Sequence, residues 1–461
     1  MGICYRDPSS YARFFMIIYI PLEISVRELQ GHLLLATVAA SRGHQVLIAS
    51  ASDLWLWTRL NRLRKGAFLL KNVNVPSHSQ KMYEVFLKGG FDIYCQEQEP
   101  SILWDSFEKF LFDYNITCEQ YLPFKGVFCW GERDTNGYKQ FFTSKKDVFV
   151  NIGSPRADLW SPRFAALHTQ AEIGKLKPYI LMVSNFGLLM GKRHWTEWLI
   201  IGKKNETLRS LQQEDRLIDY ILEDSSILLH MVKAVRYLAA QYPSYTIVIR
   251  PHPLDDVANW KYVAGDYNNI HVASNHGPLS DWISGACLVI QNGCTSALET
   301  VLQKVPLISF GPERCQGDTL VPSYMGMKVE SLDELDAAIK ICLSEVDYAS
   351  IQEHSESILK PIISTESGDA AFKMVHIIED RSNFDPSISV SQRDLMAMRL
   401  IRVVKNGVDW LRRRLMRVDL PGARYDLDQA RITREVHEMA RVIKVAPPKL
   451  SFISSTGVMI G

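Results

Sequence analysis

Short apolar runs alternate along this chain with longer stretches in which apolar positions recur every three or four residues. The runs at 15–20, 45–49, 91–95, 126–130 and 148–152 are of strand length and end abruptly in polar or turn-forming residues. Such runs predict strands buried on both faces. Between the first two, 26–41 has helical spacing (Leu29, Leu33, Leu34, Val38) and closes at Gly43. Residues 54–64 and 101–114 predict two further helices. The alternation resumes with a strand at 179–183, a helical stretch over about 207–241, strands at 246–250, 269–273, 288–291 and 305–310, and a helix at 332–343. Strands separated by helices join in parallel through crossovers, so the pattern predicts an α/β protein with two doubly wound sheets.

The proline- and glycine-bearing stretch 153–178 reads as the passage between the two layer sets. The expected division is 1–165, 166–380 and a C-terminal helical tail, 381–461. Within the tail, 395–418 is amphipathic. Leu400, Val403, Val404, Leu411 and Leu415 share one face, and Arg399, Arg402, Lys405, Arg412, Arg413, Arg414 and Arg417 crowd the other. Two readings stand for this helix: contact with an anionic membrane surface, or a strap across the domains with its basic face solvated.

At 461 residues the chain exceeds one ordinary core, which agrees with two domains. Lys and Arg number 52 against 51 Asp and Glu, so no general basic field points to nucleic acid. The eight cysteines are scattered without a C-x-x-C pair, which speaks against a zinc ribbon or a disulfide framework and for a reducing, cytoplasmic setting. The apolar stretch 14–22 is too short to span a bilayer and is followed at once by Glu23, Arg27 and Glu28. The expected localisation is cytoplasmic, with the tail helix allowing peripheral contact with the inner membrane.

Candidate chemistry gathers where strands end. Ile247 to Pro253 reads Ile-Val-Ile-Arg-Pro-His-Pro, and 288–299 reads Leu-Val-Ile-Gln-Asn-Gly-Cys-Thr-Ser-Ala-Leu-Glu. Ligands of parallel α/β sheets bind beyond the carboxyl ends of strands. Two such ends carrying Arg250, His252, Asn292, Gly293, Thr295 and Ser296 therefore predict one cleft for a phosphate-bearing ligand. The second block would offer backbone N–H groups at a helix start, or equally an ordinary cap in which Thr295 or Ser296 pairs with Glu299. Glu299 is also placed to accept from a ribose. Asn185, two residues past the strand at 179–183, is a candidate cleft amide. Acidic residues follow the first domain's strands at 96–99 and 131–134, where a carboxylate such as Glu97 or Glu132 is either a general base or a solvated loop charge. Asp219 and Asp224, ahead of the Arg-Pro-His-Pro strand, are helix caps or nucleophiles. No Asp-x-Asp lies near a strand end, and the Walker loop and G-x-G-x-x-G are absent, which speaks against kinases, ATPases, dehydrogenases and metal-dependent sugar transferases.

Several motifs together resemble a family of bacterial surface-carbohydrate biosynthesis proteins of two-domain GT-B architecture. They are Pro21-Leu22-Glu23 with Arg27-Glu28-Leu29, Trp130-Gly131-Glu132, Gly153-Ser154-Pro155-Arg156-Ala157-Asp158, Ser184-Asn185-Phe186, the Arg250–Pro253 block and Asn292-Gly293-Cys294-Thr295. The stretch 425–442 is similar to the family's usual end. Characterised relatives include retaining β-Kdo transferases that use CMP-β-Kdo. The resemblance implies two Rossmann-like domains facing a cleft, no metal or other cofactor, a CMP-activated donor, and a glycan or lipid-linked glycan acceptor. It implies that Arg250 and His252 meet the CMP phosphate beside Thr295 and Ser296. It further implies a carboxylate nucleophile, Asp219 or Asp224, and an acid/base on Glu132 with Glu97 in reserve. Two alternatives remain: a CDP-glycerol-type glycerophosphotransferase, against which Asn292 stands where a second histidine is usual, and a non-catalytic GT-B scaffold.

Overall fold

A computed structural model describes residues 16–71, 84–102, 106–113, 116, 123–168, 171–204, 208–274, 277–311, 321–364, 368–382, 388–416 and 427–461. Two sheets organise it. The first contains six parallel strands: β1 (Ile17–Leu22), β2 (Gln45–Ser50), β3 (Ala67–Leu70), β4 (Asp92–Gln96), β5 (Phe124–Cys129) and β6 (Phe149–Asn151). Their order is β2-β1-β3-β4-β5-β6. The second contains β7 (Tyr179–Val183), β8 (Thr246–Arg250), β9 (Ile270–Val272), β10 (Leu288–Gln291), β11 (Leu307–Phe310) and β12 (Met327–Val329), all parallel. Its order, β9-β8-β7-β10-β11-β12, is the 3-2-1-4-5-6 winding of a Rossmann domain, whereas the first sheet follows the flavodoxin-like 2-1-3 start. Each order reverses once, between β1 and β3 and between β7 and β10. Those reversals fix where a ligand crevice opens. The chain thus has the expected two-domain GT-B architecture.

Local chemistry explains the elements. β1 is Ile-Ile-Tyr-Ile-Pro-Leu, buried at every position, with Pro21 near its carboxyl end. Helix α1 (Ser25–Ser41) has no side-chain cap at Ile24. Instead the Glu28 carboxylate accepts from the N–H groups of Glu23 (2.9 Å) and Ile24 (3.1 Å), closing the entry turn from within. The face of α1 bearing Leu33, Leu34 and Val38 covers one side of the first sheet, and Leu54 and Trp57 of α2 (Ala51–Arg59) cover the other. Each fully buried aliphatic side chain contributes about 1.5–3 kcal/mol. A further core is shared between the domains, with Trp130, Ala157 and Trp160 of the first packed with Leu181, Val289 and Leu298 of the second.

The tail departs from expectation. Residues 381–461, read as helical, include two strands: β13 (Leu450–Ser454) and β14 (Gly457–Ile460) form a hairpin, and β14 adds antiparallel to β2. Strands of five and four residues carry too weak a period for the sequence to betray them. α3 (Ala370–Arg381) and α4 (Gln429–Ile443) pack on the α1 face of the first sheet, while α5 (Gln392–Met416) packs on the α2 face. The first domain is therefore built from both ends of the chain. On α5 the seating is also corrected. Leu395, Met398 and Ile401 face the core, while Leu400, Val403, Val404 and Leu411 are exposed. The side chains of Arg412, Arg413 and Leu415, and residues 417–418 and 425–426, lie outside the described part. Among the described residues no helix is long and apolar enough to cross a membrane.

Candidate functional site

A cavity of about 1240 Å³ lies between the carboxyl ends of the two sheets. Its second-domain wall includes Ser184 and Asn185 after β7, the Arg250–Asp255 loop after β8, and Cys294–Ser296 with Glu299 after β10. Its first-domain wall includes Glu23, Arg27, Glu99 and Arg156. The two strand-end blocks thus border one cavity, through Arg250, His252, Thr295 and Ser296.

The Arg250–Asp255 loop is built around one carboxylate. Asp255 Oδ2 accepts from Ser184 Oγ (2.6 Å), from the His252 N–H (3.0 Å) and from Trp260 Nε1 (2.7 Å). Two prolines restrict the backbone on either side of His252. His252 Nδ1 accepts from the Leu254 N–H at 3.2 Å, which leaves the ring proton on Nε2. Burial lowers the His252 pKa, with Asp255 opposing, so the ring is neutral near pH 7 and Nε2 is a donor.

Arg250 is more committed than the sequence suggests. The residue is 4% exposed, and its guanidinium donates to the Ser274 carbonyl and, at 2.8 Å, to the Gly277 carbonyl. Burial pulls its pKa to about 10 against the attraction of Asp281, Glu299 and Asp255. Arg250 lines the cavity while clamping the loop behind it.

The second block also differs in detail. Gln291 Oε1 accepts from the N–H groups of Gly293 and Cys294, the latter at 2.7 Å, so two donors expected for a phosphate already have a partner. Gly293 adopts φ 90°, which permits that fold-back. Thr295 occupies the cap position of the Ser296–Leu302 helix without capping it, so no Thr/Ser–Glu299 capping box forms. Its hydroxyl instead reaches across the cleft to Glu99 Oε1 at 3.3 Å. Asn292 is buried, and neither it nor Gly293 lines the cavity. Glu299, 2% exposed, lies 4.0 Å from Arg156 Nη2; burial raises its pKa and Arg156 opposes the rise.

The catalytic candidates divide sharply. Asp219 is exposed and Asp224 buried, both inside the helix Leu211–Gln241, so neither caps a helix. Neither borders the cavity, and both are corrected as nucleophiles. Glu132 is exposed in the first turn of the helix Glu132–Phe141, and Glu97 also lies outside the cavity wall. Their positions do not suit an acid/base. The carboxylate that does face the cavity from the 96–99 stretch is Glu99. Its Oε1 pairs with Arg27 Nη1 at 3.2 Å in addition to Thr295. Sequence reasoning named the acidic stretch and missed which member turns inward.

Lys192 and Arg193 were missed altogether. Both are exposed and line the cavity, with the Arg193 guanidinium 5.7 Å from the centre of the Trp198 ring. The signal was available: Gly187-Leu-Leu-Met-Gly-Lys-Arg follows β7, the strand beside the sheet's reversal. The resulting cavity carries cations from both domains, with His252 as a neutral donor between them.

No protein-family model and no curated protein matches the chain. Among solved structures, a variant of the wall teichoic acid polymerase TagF aligns over 81% of this chain and 90% of its own, with TM-score 0.45 and 11% identity. UDP-GlcNAc 2-epimerase from Neisseria meningitidis, bound to UDP-GlcNAc, aligns over 79% and 100%, with TM-score 0.46 and 10% identity. The glycotransferase of kitacinnamycin aligns over 81% and 100%, with TM-score 0.44 and 13% identity. Likeness at this level carries no information on what this chain binds or transfers.

Proposed function

We propose that this chain is a cytoplasmic glycosyltransferase of surface-polysaccharide synthesis. It takes Kdo or a related ulosonic acid from a CMP-activated donor and passes it to a glycan or lipid-linked glycan. The observation that carries the reading is the His252 loop: a neutral Nε2 donor held at a strand end, facing a cavity with cations on both walls. A CMP-ulosonate brings two anions, a phosphodiester and a sugar carboxylate. His252 with Lys192 and Arg193 suits the phosphate, and Arg27 with Arg156 suits the carboxylate.

In the transfer step the acceptor oxygen attacks the anomeric carbon. The bond from that carbon to the phosphate oxygen breaks, and CMP departs with the electron pair. The acceptor's proton passes to Glu99, the glutamate that pairs with Arg27 beside it and reaches Thr295 across the cavity. With Asp219 and Asp224 outside the cavity wall, a single displacement with inversion replaces the double displacement that the resemblance implies.

Calorimetric titration tests the donor. CMP should bind more tightly than UDP, and His252→Ala should weaken CMP by about tenfold, as for loss of one hydrogen bond to a charged group. Glu99→Gln should keep CMP affinity and lower turnover of CMP-Kdo, generated in situ, by about 10²-fold or more. Preference for UDP, or unchanged affinity in His252→Ala, would refute the donor assignment. Tighter binding of CDP-glycerol would favour the glycerophosphotransferase, and CMP binding without turnover would favour a scaffold. A covalent sugar adduct by intact mass would overturn the single displacement.

A further inference from the structure

The exposed apolar residues of the first domain concentrate on one helix. Along α5, Met396, Leu400, Val403, Val404 and Leu411 recur at helical spacing on the side opposite its core contacts, with Leu400 65% and Val403 67% exposed. Trp410 borders them at 56% exposure. The helix carries seven Lys and Arg against two Asp in a chain whose net charge is only +1. The long helix Leu211–Gln241 also exposes Leu222 and Leu229, but its five Asp and Glu outnumber its three Lys and Arg. Apolar exposure and positive charge coincide on α5 alone of these two.

Anchors along α5 fix its direction. The N–H of Val390, just before the helix, donates to Gln45 at the start of β2 (2.7 Å), and Asp394 pairs with Arg64 ahead of β3 (3.1 Å). Near mid-helix, Arg402 pairs with Asp53, and Lys405 reaches Ser52 at 3.1 Å, just beyond the end of β2. Ser50 is in register with Leu22, and Glu23, the next residue, lines the cavity. α5 therefore runs from the far edge of the sheet to the cavity edge. From Lys405 to its end at Met416 it extends about 16 Å further, at ~1.5 Å per residue.

We propose that α5 seats the first domain on an anionic lipid bilayer. Its exposed apolar stripe enters the headgroup boundary, and the exposed Arg393, Arg399 and Arg414 meet the lipid phosphates. The same seating sets the cavity mouth beside the bilayer, within reach of an acceptor held there. The proposal stands on the exposed stripe and does not depend on which donor the cavity takes.

Co-sedimentation of the full chain with phosphatidylglycerol vesicles, and with phosphatidylcholine vesicles, tests it. The chain should sediment with the first and not the second, and added salt should release it. Leu400→Glu with Val404→Glu should cut the bound fraction by about tenfold or more, with melting temperature and CMP affinity unchanged. Arg393→Glu, at another exposed position, should weaken binding only at low salt. Equal binding to both vesicles, or none to phosphatidylglycerol, overturns the proposal. So does a dimer in solution that Leu400→Glu converts to monomer, because the stripe would then be a contact between copies.

Discussion

Removing Asp255 should loosen the whole strand-end loop that presents His252. The carboxylate is 5% exposed and accepts from three donors: Ser184 Oγ, the His252 N–H and Trp260 Nε1. Asp255→Ala leaves all three without that acceptor, each costing about 1–3 kcal/mol when buried. Relief of the buried charge's own desolvation offsets part of the sum, so the net loss is about 3–5 kcal/mol. Asp255→Asn keeps one acceptor oxygen and should lose roughly half as much. Urea unfolding followed by tryptophan fluorescence is the assay, because Trp260 is itself one of the donors. The Ser184→Ala, Asp255→Ala double variant should lose less than the sum of the singles, since one removes what the other had bonded. CMP affinity should fall alongside stability, because the backbone that positions His252 is what slackens. A loss below about 1 kcal/mol in Asp255→Ala, with CMP affinity intact, would show that the prolines alone set the loop and refute the reasoning.

Three other outcomes follow from the geometry. Burial of Glu379 acts to raise its pKa, but His44 and Arg42, bonded to it, outweigh that and bring it down to about 2 from 4.5. The stability this confers is present above pH 4.5 and lost as pH falls toward 2. After solvent screening it is about 1–2 kcal/mol, so melting temperature measured from pH 6 to 2 should fall less steeply in Glu379→Gln. Gly187→Ala places a Cβ 3.0 Å from His252 Nδ1 and 2.9 Å from Leu254 Cβ. It should lower CMP affinity by about tenfold with little change in melting temperature. Gly131→Ala drives a Cβ into the Ile362 backbone, where the chain returns to the first domain. Calorimetric melting should show a loss of about 1–3 kcal/mol.

Most of the parallel strands were readable because they are uninterrupted apolar runs, buried on both faces and broken by polar residues at the carboxyl end. The same rule located the His252 loop. β3, β12 and the β13–β14 hairpin escaped notice; β12 is only three residues with a lysine at its centre, and the hairpin strands mix polar and apolar positions. At the cavity, residue type was legible and orientation was not. The acidic stretch 96–99 gives no sign that Glu99 turns inward while Gln96 bonds the Gly153 carbonyl. Gln291 looked like the last residue of a strand, yet its amide fills the turn expected to hold a phosphate. Asp219 and Asp224 lost their candidacy through helix Leu211–Gln241, whose path depends on packing far away in sequence.

Because β14 pairs with β2, the edge of the first sheet is completed by residues 457–460, more than four hundred positions after the strand they cover. During synthesis the entire second domain emerges before that edge is closed. β2, with its run of Val46, Leu47, Ile48 and Ala49, must wait throughout with open backbone donors and acceptors, a template for pairing with another nascent chain. Ribosome spacing, chaperone capture and expression temperature should therefore govern the yield of this protein more than the stability of the finished fold.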